Sequence, residues 1–170
     1  MRIFLIGFMG CGKTTWGKKL ASALEIPFLD LDALIREHTG MTVPQYFQEF
    51  GEARFRETER DVLQSAAFPE DAVISTGGGA PCYFDNMDWM NSHGIAVYMS
   101  LSPGMLASRL ENAKEVRPVL EGRKGEALVQ FIQEKLQERE PFYSKANVIV
   151  TGPEFSVEKF ISAIEDYQRK

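Results

Sequence analysis

The sequence predicts an α/β fold: a five-stranded parallel sheet with helices on both faces. Three observations predict it. Five short apolar runs alternate with stretches of helical period, an order that right-handed crossovers turn into a covered parallel sheet. The first run leads directly into a glycine-rich turn, Gly7-Phe8-Met9-Gly10-Cys11-Gly12-Lys13-Thr14, and then a helix. With 170 residues, 44% of them hydrophobic, the chain can bury one substantial core, so a single domain over 1–170 is expected.

The elements follow in order. Ile3-Phe4-Leu5-Ile6 reads as a buried strand. The helix running from Trp16 to Leu24 after the glycine turn carries Leu20, Ala23 and Leu24 at helical spacing. Pro27-Phe28-Leu29 is a short buried strand ending at Asp30-Leu31-Asp32, and acids at that position lie where such sheets bind ligands. Ala33–Thr39 is helical and stops at Gly40, and Thr42 caps a short helix through Phe50 that stops at Gly51. Glu52–Ala66 is a longer helix with Phe55, Glu59, Val62 and Leu63 on one stripe. Ala72-Val73-Ile74-Ser75 is the next strand and runs into Thr76-Gly77-Gly78-Gly79, a second place where backbone can approach a ligand closely.

Phe84–Ser92 is a helix ended by His93-Gly94, and Ile95–Met99 is the fourth strand. Ser102 and Pro103 open a helix that reaches Asn112. From Ala113 to Gly125 the periodicity breaks, and Lys114, Arg117, Arg123 and Lys124 gather beside Pro118 and Gly122 as a mobile cationic lid. Glu126–Glu140 is amphipathic and is expected to stop at Pro141. Asn147–Val150 is the fifth strand, Thr151-Gly152-Pro153 a turn, and Ser156 the cap of a last helix with Phe160, Ile161 and Ile164 on its apolar face.

The first turn carries chemistry. GxxxxGK[ST] between a strand and a helix lets successive N–H groups curl inward, with the positive helix end behind them. This three-layer P-loop NTPase arrangement suits a triphosphate: Lys13 reaches the β- and γ-phosphates and Thr14 a Mg2+ ion. The net charge of −5 and the lack of a dense basic run argue against a nucleic-acid partner. No run is long and apolar enough to span a membrane, and the two cysteines, Cys11 and Cys82, have no metal-like spacing. A cytoplasmic, monomeric protein is the expectation.

Absences narrow the class. A guanine-reading Asn-Lys-x-Asp is missing, and strand Ala72–Ser75 ends in glycines rather than in the acid of a motor ATPase. A small kinase needs only a nucleotide loop, an acceptor pocket and a lid that excludes water. Asp32 suits hydroxyls, and Arg56 and Arg139 would hold an acceptor carboxylate if they converge.

Gly7–Thr14, Asp30-Leu31-Asp32, Gly51-Glu52-Ala53-Arg54-Phe55-Arg56-Glu57-Thr58-Glu59, Gly77-Gly78-Gly79, Arg117-Pro118 and Arg139 with Tyr143 stand in one order. In that order they resemble the shikimate kinase family over essentially the whole chain. The resemblance implies a nucleotide-kinase-like fold and ATP-dependent phosphorylation of the 3-hydroxyl of shikimate, in aromatic amino-acid biosynthesis. It implies ATP contacts from Gly10, Cys11, Gly12, Lys13, Thr14, Thr15, Arg109, Arg117 and Pro153, with Arg109 and the Pro153 turn against adenine. It implies a shikimate site of Asp32, Arg56, Gly77, Gly78, Gly79 and Arg139, in which Gly78 donates a backbone N–H. Lys13, Asp32 and Arg117 would be catalytic, and Thr14 with Asp30 would serve Mg2+, Asp30 through water. The acceptor segment would cover 31–66 and the lid 113–125. Three residues depart from the family pattern: Val119 where leucine is usual, Cys11 in place of a small residue, and no acid in Thr151-Gly152-Pro153. A related kinase such as a gluconate kinase, and a nucleotide-binding module without catalysis, remain alternative readings.

Overall fold

The computed structural model describes residues 1–113 and 120–170. Five strands form one sheet: β1 (Arg2–Ile6), β2 (Phe28–Asp30), β3 (Ala72–Ser75), β4 (Ile95–Ser100) and β5 (Val148–Thr151). All pairs are parallel, in the order β2-β3-β1-β4-β5. The strands are short and rich in Val, Ile and Phe, the composition of strands buried on both faces. Among the described residues seven helices connect and cover them: α1 (Lys13–Leu24), α2 (Leu31–Thr39), α3 (Val43–Ser65), α4 (Asn86–His93), α5 (Pro103–Glu111), α6 (Gly125–Tyr143) and α7 (Val157–Gln168).

The pleat sorts the core into two layers. Ile3 and Leu5 face one way and join Leu20 of α1, Leu106 of α5 and Phe160 of α7. Phe4 and Ile6 face the other way and join Ile35 of α2, Leu63 of α3 and Met90 of α4. Gly17 of α1 sits where a Cβ would lie 2.6 Å from the Phe28 ring and 3.1 Å from Leu5, so a glycine there brings the helix down onto the sheet.

Several expected elements shift for tertiary reasons. Strand order puts β2 and β5 at the edges, so β2 is half-buried throughout and β5 alternates buried and exposed residues. On α1, Ala21 is buried where Ala23 was expected to be. The helix expected from Phe84 begins at Asn86, after a 3-10 turn over Ala80–Cys82 and a positive φ of 52° at Phe84. The expected pair of helices around Gly51 stands: α3 is broken at that residue, whose φ of 82° only glycine adopts readily. Its start is a full capping box between Thr42 and Gln45. The α6 helix does not stop at Pro141. It runs on to Tyr143, whose fully buried side chain offsets the hydrogen bond that proline removes. Among the described residues no helix is long and apolar enough to cross a membrane.

Candidate active site

The order β2-β3-β1 sets three strand ends side by side, and each feeds a segment of the site. Asp30 and Asp32 follow β2, Thr76–Gly79 follow β3, and Gly7–Thr14 follow β1. A cavity of about 410 Å3 opens there, lined among others by Gly10, Lys13, Thr14, Asp30, Asp32, Gly78 and Arg109.

The loop is shaped by glycine. Gly7, Gly10 and Gly12 have φ of 151°, 80° and 102°, values that side-chain-bearing residues rarely adopt. Lys13 is folded back on the loop, with Nζ donating to Gly7 O at 2.6 Å and Phe8 O at 3.1 Å. Thr14 and Thr15 are exposed on the first turn of α1. Cys11 is fully buried in the core, and its N–H donates to Phe8 O at 3.2 Å. Arg109 reaches back from α5, donating from Nε to Gly10 O at 2.6 Å. Pro153 is exposed, follows a cis peptide bond, and lines no part of this cavity. Arg117 and the rest of 114–119, the middle of the 113–125 lid, lie outside the described residues.

Asp30 is the N-cap of α2, its Oδ1 accepting from Asp32 N at 2.9 Å. Thr14, Asp30 and Asp32 line one cavity, a set of oxygen donors. Among the described residues there is no cluster of three or more His, Cys, Asp or Glu for a metal. A protein-built metal cage is therefore lacking there, whereas one or two protein oxygens beside phosphates suit Mg2+.

Behind the glycine turn, two arginines converge. Arg56 of α3 lies against Gly79: a Cβ on that glycine would sit 2.6 Å from both Nη atoms. Arg139 of α6 lies against Gly78, with Nη1 at 3.3 Å from the corresponding position. Arg56 Nε and Arg139 Nη1 are buried nitrogens with no hydrogen-bond partner among the described residues. Unpartnered buried donors cost about 1–3 kcal/mol each, more when charged, and an anion could satisfy both.

Glu59 shares this site; sequence reasoning placed it on a helix stripe and at the end of the Gly51–Glu59 motif, and gave it no role in the site. It is 1% exposed and accepts from Arg56 Nη1 at 3.0 Å. Its Oε2 lies 3.2 Å, and Asp32 Oδ1 3.4 Å, from a Cβ built at Gly77. Burial pushes the Glu59 carboxyl up to about 7, against the pull of Arg56. Burial lowers the Arg56 guanidinium, but Glu59, Tyr83 and Glu52 reverse this and leave it raised. The signal available in sequence was an acid at an apolar helical position. Cys82 stands near both arginines, and burial pushes its thiol to about 11, which argues against a nucleophile. A second hollow, of about 530 Å3, is lined by Tyr46, Phe50, Arg54 and Glu57 of α3 with His38 and Thr39 of α2, and includes none of the loop glycines.

Known proteins resemble the chain throughout. A family model described as shikimate kinase matches residues 9–167. A shikimate kinase of Bacteroides fragilis is 53% identical over 149 residues, 88% of this chain and 83% of the relative. The crystal structure of a Bacteroides thetaiotaomicron shikimate kinase superposes with a TM-score of 0.88 at 45% identity, covering 99% and 97% of the two chains. An Acinetobacter baumannii shikimate kinase in complex with shikimate gives 0.87 at 32% identity, over 99% and 95%. A gluconokinase from Sinorhizobium meliloti reaches a TM-score of 0.56 at 19% identity, a likeness of fold alone.

Proposed function

The chain belongs to the shikimate kinase family, and on that premise we propose that it transfers the γ-phosphoryl group of ATP to the 3-hydroxyl of shikimate, giving shikimate 3-phosphate and ADP. One observation carries the acceptor assignment: Arg56 and Arg139, from different helices, lie against Gly79 and Gly78 of the turn beside the phosphate loop, and each has a buried nitrogen without a hydrogen-bond partner among the described residues. A carboxylate between them satisfies both guanidinium groups. The distant fold likeness to a gluconokinase gives no comparable support for gluconate.

In this reading the loop N–H groups and Lys13 hold the β- and γ-phosphates, Lys13 exchanging its present carbonyl partners for phosphate oxygens. Thr14 and Asp30 would hold Mg2+, Asp30 through water, and the ion would neutralise phosphate charge. Asp32 accepts the hydrogen bond of the attacking hydroxyl and receives its proton as the new P–O bond forms and the bond to the β-phosphate oxygen breaks. Gly78 directs its N–H between acceptor and phosphate. Arg117 brings a further positive charge with the lid, and Arg109 with the Pro153 turn meets the adenine. Phosphoryl transfer needs alignment and charge neutralisation more than covalent help, and this residue set supplies both. We infer a single domain, with acceptor segment 31–66 and lid 113–125, working as a cytoplasmic monomer.

The test compares shikimate with its methyl ester by calorimetric titration. Loss of a charged hydrogen bond costs about 1.5–3 kcal/mol, so the ester binds at least about tenfold more weakly. Equal affinities would remove the arginine pair from acceptor recognition.

A further inference from the structure

The glycine turn after β3 must hold its peptides in one orientation, with no side chains of its own to anchor them. Two backbone bonds tie its flanks: Ala80 N donates to Gly77 O at 3.2 Å, and Cys82 N to Gly79 O at 3.0 Å. The Gly78 carbonyl between them takes the hydroxyl of Tyr143 instead. Gly78 is also the crossing point of the site. A Cβ on it would lie 3.2 Å from Met9 N, 3.4 Å from Gly7 O and 3.3 Å from Arg139 Nη1.

Tyr143 is built to hold that carbonyl. It is fully buried and stands one helical turn beyond Arg139, on the same side of α6. Its ring packs on Tyr98 with centroids 4.9 Å apart, and the Tyr98 hydroxyl donates to Glu140 at 3.0 Å. Burial raises the Tyr143 hydroxyl above the usual phenol range, so it stays protonated and a donor.

We propose that Tyr143 is a positioning residue whose hydroxyl fixes the Gly78–Gly79 peptide and so keeps the acceptor arginines in register with the phosphate loop. The peptide links the two halves: its carbonyl is held by Tyr143, and its nitrogen belongs to Gly79, against which Arg56 rests. A rotation of that peptide displaces the acceptor relative to the γ-phosphate without removing any group that binds either substrate. The inference rests on the kinase reading above and adds the residue that aligns its two halves.

The variant is Tyr143→Phe, which removes only the hydroxyl, with Tyr98→Phe as the matched loss of a neighbouring hydroxyl. Three quantities are measured on the full chain: kcat, the dissociation constants of shikimate and Mg-ATP, and amide hydrogen exchange at Gly79. Small misplacements are costly in phosphoryl transfer, so kcat in Tyr143→Phe falls by about tenfold or more. Both dissociation constants stay within about twofold, Gly79 exchange accelerates, and Tyr98→Phe keeps kcat near wild type. Unchanged kcat and unchanged Gly79 exchange in folded Tyr143→Phe overturn the proposal, as does an equal loss of kcat in Tyr98→Phe. If the unaltered protein does not phosphorylate shikimate, the kinase reading fails, and Gly79 exchange alone still decides whether Tyr143 holds the turn.

Discussion

Replacing Gly79 with alanine separates the acceptor site from the rest of the protein. Gly79 has φ −90° and ψ −13°, a conformation alanine adopts without strain, so the backbone accepts the change. The added Cβ meets Arg56 Nη1 and Nη2 at 2.6 Å and Cζ at 2.7 Å. Ordinary carbon contacts begin near about 3.5 Å, so the guanidinium must retreat by about 1 Å. That retreat is open to a long side chain, and alanine restricts the unfolded chain, so stability changes by less than about 1 kcal/mol. The same retreat breaks the alignment of Arg56 with an acceptor carboxylate. Losing one charged hydrogen bond costs about 1.5–3 kcal/mol, or roughly ten- to 150-fold in affinity. Calorimetric titration and thermal melting read both quantities. The expected outcome is weakened shikimate binding, unaltered Mg-ATP binding and a nearly unchanged melting temperature. Shikimate affinity within about twofold of wild type would refute the placement of Arg56 in the acceptor site.

Two further predictions concern charge. In the folded chain Glu59 holds its proton up to about 7, whereas an ordinary glutamate releases it near 4.5. Its contribution to stability is therefore full below the lower value and lost as pH rises through the upper one, on the order of 3 kcal/mol. Glu59→Gln, neutral throughout, flattens the fall in stability over that window in urea melts, and a slope equal to wild type would contradict the burial argument. Arg117→Ala lowers turnover by about a thousandfold in steady-state kinetics while shikimate affinity holds, if its charge acts on the transferring group. Near-normal turnover would remove it from that role.

Local chemistry made much of the fold readable. The phosphate loop announces itself because glycine, lysine and threonine must stand at fixed offsets between a strand and a helix. Thr42, Ser102 and Ser156 were legible as caps because their side chains bond backbone N–H groups three residues on. Strand order was not legible. The edge positions of β2 and β5 follow from which strands pair across the sheet, and no five-residue window records that. Pro141 shows the limit of a local rule: proline weakens a helix, but burial of Tyr143 carries α6 past it. The candidate site divides the same way. Arg54, Arg56 and Arg60 look alike in helical period, and Arg56 was singled out by its place in the Gly51–Glu59 motif; packing turns it inward against Gly79, while Arg54 and Arg60 lie over Phe50 and Phe84. Glu59 stayed hidden because its partners Arg56, Asp32 and Arg139 come from three helices.

The most direct measurement is ADP release from Mg-ATP with shikimate, with gluconate and with no acceptor. The proposed chemistry predicts release with shikimate alone, because only that acceptor sets a hydroxyl before the γ-phosphate while its carboxylate rests between Arg56 and Arg139. Release with gluconate but not shikimate would contradict the acceptor assignment and leave the fold standing. Binding of ATP with no release under any condition would contradict catalysis itself.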